Sequence, residues 1–245
     1  MKLGYYLDLY YEMGKRIAIT KPINSHCHLL LTGGSGSGKS YALLYLLGNV
    51  LKECPEIIVY FCDFKQSAEF SFLSGYPHYY SGDACYQGIM DYYKKFQDIR
   101  KSGKVTSRYL LICDEYPALL HYYMSLDKKK ANDLLMRIAE ILMMGRGLSF
   151  GCWIVTQRAD AQLFQNGARD NFMVLIALGR LSKEQRTMLF SGEELPERVY
   201  QRGEGLILAD GDSIHEIKIP MIANVSDWCF HILKVLRLGA FPLDN

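Results

Sequence analysis

Residues 28–40, His28-Leu29-Leu30-Leu31-Thr32-Gly33-Gly34-Ser35-Gly36-Ser37-Gly38-Lys39-Ser40, decide how this chain folds. An apolar run leads into G-x-x-x-x-G-K-S, and the apolar-rich stretch Tyr41-Ala42-Leu43-Leu44-Tyr45-Leu46-Leu47 follows. Strand, glycine-rich turn and helix N-terminus, in that order, form a phosphate-binding loop. The glycines let the backbone curl until successive N–H groups converge on phosphate oxygens, and the helix N-terminus adds partial positive charge there. Gly33, Gly34, Ser35, Gly36, Ser37, Gly38, Lys39, Ser40 and Tyr41 are the expected nucleotide-contacting residues. In such a loop the Lys39 ammonium reaches the β- and γ-phosphates of ATP and the Ser40 hydroxyl ligates Mg²⁺.

Further along, Tyr109-Leu110-Leu111-Ile112-Cys113-Asp114-Glu115 is an apolar strand that ends on two carboxylates. Acidic groups at the end of a buried strand are costly unless a cation or hydrogen bonds await them. Beside a phosphate loop, Asp114 is expected to hold Mg²⁺ and Glu115 to orient and polarise an attacking water. A third apolar run, Cys152–Thr156, ends at Gln157-Arg158. Gln157 cannot ionise, so it would report a γ-phosphate by hydrogen bonding; taken alone, a plain polar strand end is the commoner reading of its position. In Gly145-Arg146-Gly147 the arginine either favours a helix C-terminus through the helix dipole or meets phosphate charge from a neighbouring subunit.

Around these motifs the chain alternates. Strands are expected at 28–31, 57–62, 109–113, 152–156, 174–178 and 205–208, and helices at 40–52, 84–101, 128–145 and 182–190. Short apolar strands separated by helices imply an α/β fold with a mostly parallel sheet flanked by helices on both faces. Residues 1–27 read as a lead-in segment, 28–220 as the ATPase domain, and 221–245 as a helical tail that packs on the core or on a neighbouring subunit.

The 245 residues carry a net charge of only +2, so no global basic character marks a nucleic-acid partner; local basic loops could still supply one. Lys128-Lys129-Lys130 and Lys101/Lys104 are such patches, although charge runs usually form solvated faces. The seven cysteines are odd in number and form no CxxC pair, which fits buried free thiols. In His26-Cys27-His28 successive side chains of a strand would alternate across it and have no partner cluster elsewhere, so this trio reads as structural. The chain start lacks a signal-peptide pattern, and the most apolar window, 134–155, is interrupted by Arg137, Glu140 and Arg146. A cytoplasmic, soluble protein without direct membrane insertion is expected.

The ordered set of motifs resembles the motor domain of FtsK/SpoIIIE-type DNA translocases, within the FtsK–HerA group of RecA-like P-loop NTPases. The resemblance runs from about His28 to about Ile219. It rests on HLLLTGGSGSGKS; on Ile57–Lys65, similar to a strand ending in D-P-K with Phe64 in place of proline; and on Gly75-Tyr76-Pro77-His78. It rests equally on Leu111–Tyr116, on Gly145-Arg146-Gly147 followed by Ile154-Val155-Thr156-Gln157-Arg158, and on Ser182–Leu189. The resemblance implies a ring, expected to be hexameric, that hydrolyses ATP to move double-stranded DNA. It makes Arg146 a candidate trans-acting arginine and Gln157 a sensor, with Arg158 and Arg186 as secondary candidates.

Neither a membrane anchor nor a C-terminal winged-helix domain is visible in the sequence. The expectation is therefore a compact motor of a plasmid, integrative element or phage. Two alternatives share the nucleotide chemistry. One is a coupling or packaging ATPase whose main contact is a protein such as a relaxase; the other is a monomeric P-loop regulatory ATPase.

Overall fold

The computed structural model describes residues 1–159 and 170–240. Ten strands form one sheet: β1 (Lys2–Tyr6), β2 (Ala18–Thr20), β3 (His28–Gly33), β4 (Ile58–Asp63), β5 (Tyr79–Ser81), β6 (Tyr109–Asp114), β7 (Phe150–Thr156), β8 (Val174–Leu178), β9 (Glu204–Ala209) and β10 (His215–Lys218). The helices are α1 (Leu7–Glu12), α2 (Lys39–Glu53), α3 (Ala84–Ser102), α4 (Tyr116–Leu126), α5 (Lys128–Met144), α6 (Lys183–Leu189) and α7 (Val225–Ala240). The strand order is β2-β1-β10-β9-β8-β3-β7-β6-β4-β5.

The six strands from β8 to β5 run parallel, and the four from β9 to β2 continue the sheet antiparallel. The parallel strands are buried on both faces, which is why they read as near-continuous apolar runs. Their side chains still alternate between two cores. Leu29, Leu31, Leu110, Ile112, Trp153 and Val155 meet α2 and α7 on one face. Leu30, Leu111, Cys113, Cys152 and Ile154 meet α3, α4 and α5 on the other.

The expected strands and helices stand within a few residues of the observed ones, and the fold is that of a RecA-like P-loop NTPase, a mixed and mostly parallel sheet between helical layers. Four strands lay outside the sequence reading: β1, β2, β5 and β10, each of three to five residues. The lead-in segment supplies β1 and β2, and Tyr5 of β1 sits opposite Lys218 of β10. Helix α4 was missed because Tyr116–Leu126 is apolar nearly all round and shows no 3.6-residue stripe; it starts with Pro117 in its first turn, where the missing N–H costs nothing.

From the expected tail, α7 packs on α2, with the Trp228 ring against Gly48 and its indole N–H donating to the Leu44 carbonyl at 3.0 Å. Residues 241–245 of that tail lie outside the described residues. The seven cysteines are free thiols, six of them buried. His28 is fully buried and its Nδ1 accepts the Cys152 N–H at 3.1 Å, a structural role inside the sheet. No helix among the described residues is long and apolar enough to cross a membrane.

Candidate nucleotide-binding and catalytic cleft

Strands β3, β4, β6 and β7 end at the same edge of the sheet, and a cleft of about 360 Å³ opens there. It is lined by Ser35, Gly36, Gly38, Lys39 and Ser40 of the loop after β3, and by Asp114, Glu115 and Gln157 from the ends of β6 and β7. Tyr41 lines it as well, and its hydroxyl oxygen accepts the Ile222 N–H. Ligands of open α/β sheets sit at this carboxyl edge.

The loop conformation is one that glycine permits. Gly36 and Gly38 have φ of 77° and 96°, and Gly38 is the residue from which α2 starts. A side chain at Gly33 would strike the Leu178 carbonyl at 2.4 Å, so β3 and β8 can close on each other only with glycine there. The Lys39 ammonium is buried and donates to the carbonyls of Gly33 at 2.6 Å and Gly34 at 3.2 Å. Burial holds its pKa below the ordinary lysine value, against the attraction of Glu115 and Asp114. The Ser37 hydroxyl is buried with no partner among the described residues.

Opposite Lys39 lies a carboxylate cluster. Asp114 is 4% exposed, and burial, reinforced by Glu115 and Asp63, pushes its pKa up to about 7. Asp63, at the end of β4, is fully buried; its Oδ2 accepts from the Ser67 N–H at 2.8 Å and the Tyr79 hydroxyl at 3.0 Å, while Oδ1 has no partner among the described residues. Its pKa is raised by burial. Glu115 sits at φ 54°, ψ 43°, left-handed backbone that a residue with a Cβ adopts at a cost of order 1–3 kcal/mol. That conformation turns its carboxylate into the cleft, where Oε2 lies 3.3 Å from the Lys65 ammonium.

The donor set suits a nucleotide carrying a hard cation. The partnerless oxygens of Asp63 and Ser37, and the crowding that raises the Asp114 pKa, are what a hard cation bound with phosphate relieves. A curled loop with Gly36 open to space is what a phosphate chain occupies.

Arg146 lies elsewhere. It begins a short 3-10 turn (Arg146–Leu148) between α5 and β7, at the amino edge of the parallel strands. Its charge depresses the pKa of His28, the first residue of β3, whereas the cleft opens beyond the last. The length of β3 separates the two, roughly 17 Å at the rise of a strand. Within one chain Arg146 and Lys39 cannot share a phosphate. Arg158 is exposed beside Gln157, and the Arg186 guanidinium donates to the Pro196 carbonyl at 2.9 Å.

Two cations in the cleft carry more weight than the sequence reading gave them. Lys65, noted there only as the end of a D-x-K strand, is the partner of Glu115. Arg202 was not singled out at all. It reaches the cleft because β9 returns beside β8, so that the Gly203 N–H donates to the Ser37 carbonyl at 2.9 Å and the Arg202 side chain lies over Gly38. The only local signal was Gly203, a turn residue at φ 77°.

No protein-family model matches the chain. Over 228 residues it is 25% identical to the FtsK domain-containing protein YdcQ of Bacillus subtilis strain 168, covering 85% of this chain and 46% of YdcQ. Among solved structures it superposes on EssC (ATPases 2 and 3) from Geobacillus thermodenitrificans with a TM-score of 0.71 at 14% identity, covering 98% of this chain and 49% of EssC. The pCW3 conjugation coupling protein TcpA, solved with ATPγS, gives 0.66 at 22% identity over 90% of this chain and 67% of TcpA. The genome packaging NTPase B204 of Sulfolobus turreted icosahedral virus 2 gives 0.52 at 16% identity over 80% of this chain and 99% of B204.

The fold is thus that of the P-loop ATPases. Within it the chain is similar in sequence to an FtsK domain and shares the fold of FtsK/HerA-type ATPases, as the motifs implied. It spans about half the length of YdcQ and of the EssC chain.

Proposed function

We propose that this chain is the motor unit of an ATP-hydrolysing ring that translocates double-stranded DNA, of the kind used by a plasmid, integrative element or phage. The observation that carries the reading is the convergence of Lys39, Asp114, Glu115 and Gln157 in one cleft at the carboxyl edge of the sheet. The similarity to an FtsK domain supports DNA as the cargo.

In this reading the loop N–H groups of 33–41 bind the phosphates and Lys39 leaves Gly33 and Gly34 to meet the β- and γ-phosphates. Ser40 and Asp114 would hold Mg²⁺, which would supply positive charge against the phosphates. Glu115 accepts a proton from the attacking water, and its backbone conformation and Lys65 keep the carboxylate aimed. Gln157 hydrogen-bonds near the γ-phosphate. Arg146 serves the site of the next subunit, since it stands at the opposite edge of the sheet from its own. Contacts to DNA would be made to phosphates and be sequence-tolerant.

The test is steady-state ATP hydrolysis with and without duplex DNA. Turnover should rise with duplex DNA, the rise should shrink as salt is added, and Lys39→Ala should abolish it. An assembled ring whose turnover ignores DNA sinks the DNA-motor reading. The likeness to TcpA, a conjugation coupling protein, favours one second reading, a coupling ATPase with a protein partner such as a relaxase. In that case turnover would respond to the partner and not to naked DNA.

A further inference from the structure

A second cleft, about 980 Å³ in volume, lies between β1, α1, α2 and the segment that leads into α7. It shares no lining residue with the nucleotide cleft, and none of its residues was singled out for chemistry in the sequence. Its character comes from cations held against aromatic rings. The Lys2 ammonium lies 4.0 Å from the Tyr5 ring centre, Lys52 lies 4.0 Å from that of Trp228, and the Arg16 guanidinium lies 5.9 Å from that of Tyr10. None of these three cations forms an ion pair among the described residues. Lys218, also in the wall, is already neutralised by the buried Glu204 at 3.0 Å. Asp227 is the one carboxylate in the lining, and it is occupied at the start of α7, accepting from the Asn224 amide at 2.7 Å. Three unpaired cations against one carboxylate leave the cleft with net positive charge among the described residues. At its wall stand two large apolar groups open to water, Met221 at 89% and Tyr11 at 51% exposure.

We infer that this cleft docks an acidic protein segment that carries one aromatic or large apolar anchor. Carboxylates meet Lys2, Arg16 and Lys52, and the anchor covers Tyr11 and Met221. The aromatic stems hold the three cations in place beforehand, so less side-chain entropy is lost when they are paired. Charge complementarity selects the occupant. Nucleic acid fits less well. A concave cleft of this size does not admit a duplex, and base stacking needs free ring faces. The Trp228 ring has Lys52 over it and stacks on Tyr45 with centroids 6.3 Å apart. This inference needs neither ATP turnover nor DNA movement, so it stands or falls separately from the motor reading.

The experiment is fluorescence anisotropy on the full chain. The probe is a labelled, blocked nonapeptide with four glutamates on either side of one phenylalanine. The controls are the same peptide with glutamine for glutamate and a labelled single-stranded oligonucleotide. The acidic peptide should bind saturably at low salt. Affinity should fall about tenfold for the glutamine peptide and for the double variant Arg16→Gln/Lys52→Gln, whose nucleotide binding should match the wild type. Absence of saturable binding, equal binding of the glutamine peptide, or unchanged affinity in the double variant overturns the inference. So does an oligonucleotide that binds as tightly as the acidic peptide.

Discussion

In the proposed mechanism Glu115 is the proton acceptor, and its backbone shows why it is not interchangeable with Asp114. Asp114 is the last residue of the strand; one residue later the chain turns left-handed, so two adjacent buried carboxylates enter the cleft from different backbone conformations. Glu115→Gln keeps the shape and removes the proton acceptor. Turnover should fall about 10²–10⁴-fold, with nucleotide binding intact in an equilibrium titration. His28 gives a prediction of a different kind. Burial first, and Arg146 second, lower its pKa from 6.5 to about 4. The unfolded chain takes up a proton near pH 6.5 and the folded chain does not until about pH 4. The contribution is therefore intact above pH 6.5 and is lost as pH falls toward 4, a swing of about 3 kcal/mol. Denaturant unfolding across that range should show the decline, and His28→Asn should flatten it.

At the scale of elements, the contact of α7 with α2 reverses an ordinary helix rule. Glycine in mid-helix costs roughly 0.5–1 kcal/mol relative to alanine. Gly48 lies inside α2, yet a Cβ there would meet the Trp228 ring at 2.4 Å. Gly48→Ala should therefore destabilise, by about 1–3 kcal/mol in denaturant unfolding. Combined with Trp228→Ala, the penalty should be clearly less than the sum of the two single changes. The sequence could not announce this pair. It lists a glycine in a helix and a tryptophan 180 residues later, and only the docking of the two helices makes one require the other. The strands were the opposite case. Runs such as Tyr109–Asp114 were legible because burial on both faces leaves no room for polar residues, whereas β10, half solvated and four residues long, gives no such run. Lys128-Lys129-Lys130 opens α5, where like charge opposes the helix dipole; Lys130 is engaged with the rings of Tyr86 and Tyr123, and Lys128 and Lys129 face solvent.

On the whole-molecule scale the two edges of the sheet separate the parts of the proposed site. Lys39, Asp114 and Glu115 open at the carboxyl edge, and Arg146 stands at the amino edge near His28. A motor that uses Arg146 must bring it from another copy. Mixing wild type with Arg146→Ala at increasing ratios should therefore depress DNA-stimulated turnover more steeply than the mutant fraction. Strictly proportional loss would mean that each chain works alone, and the trans role of Arg146 would be refuted.

The sequence by itself determined the phosphate loop, the carboxylates of β6, the order of the parallel strands' segments and the family likeness, because each is written in contiguous residues: backbone that needs glycine, burial that excludes polar groups, and helix start after strand end. Tertiary structure alone decided what distant segments do to one another. The antiparallel return of β9 lays Arg202 over Gly38, the left-handed turn at Glu115 meets Lys65, and the length of β3 sets Arg146 apart from the cleft. It also gathered Lys2, Arg16 and Lys52 into one positive cleft. Such relations depend on strand order and register, and these are fixed by burying both sheet faces at once, a property of the whole chain and of no stretch within it.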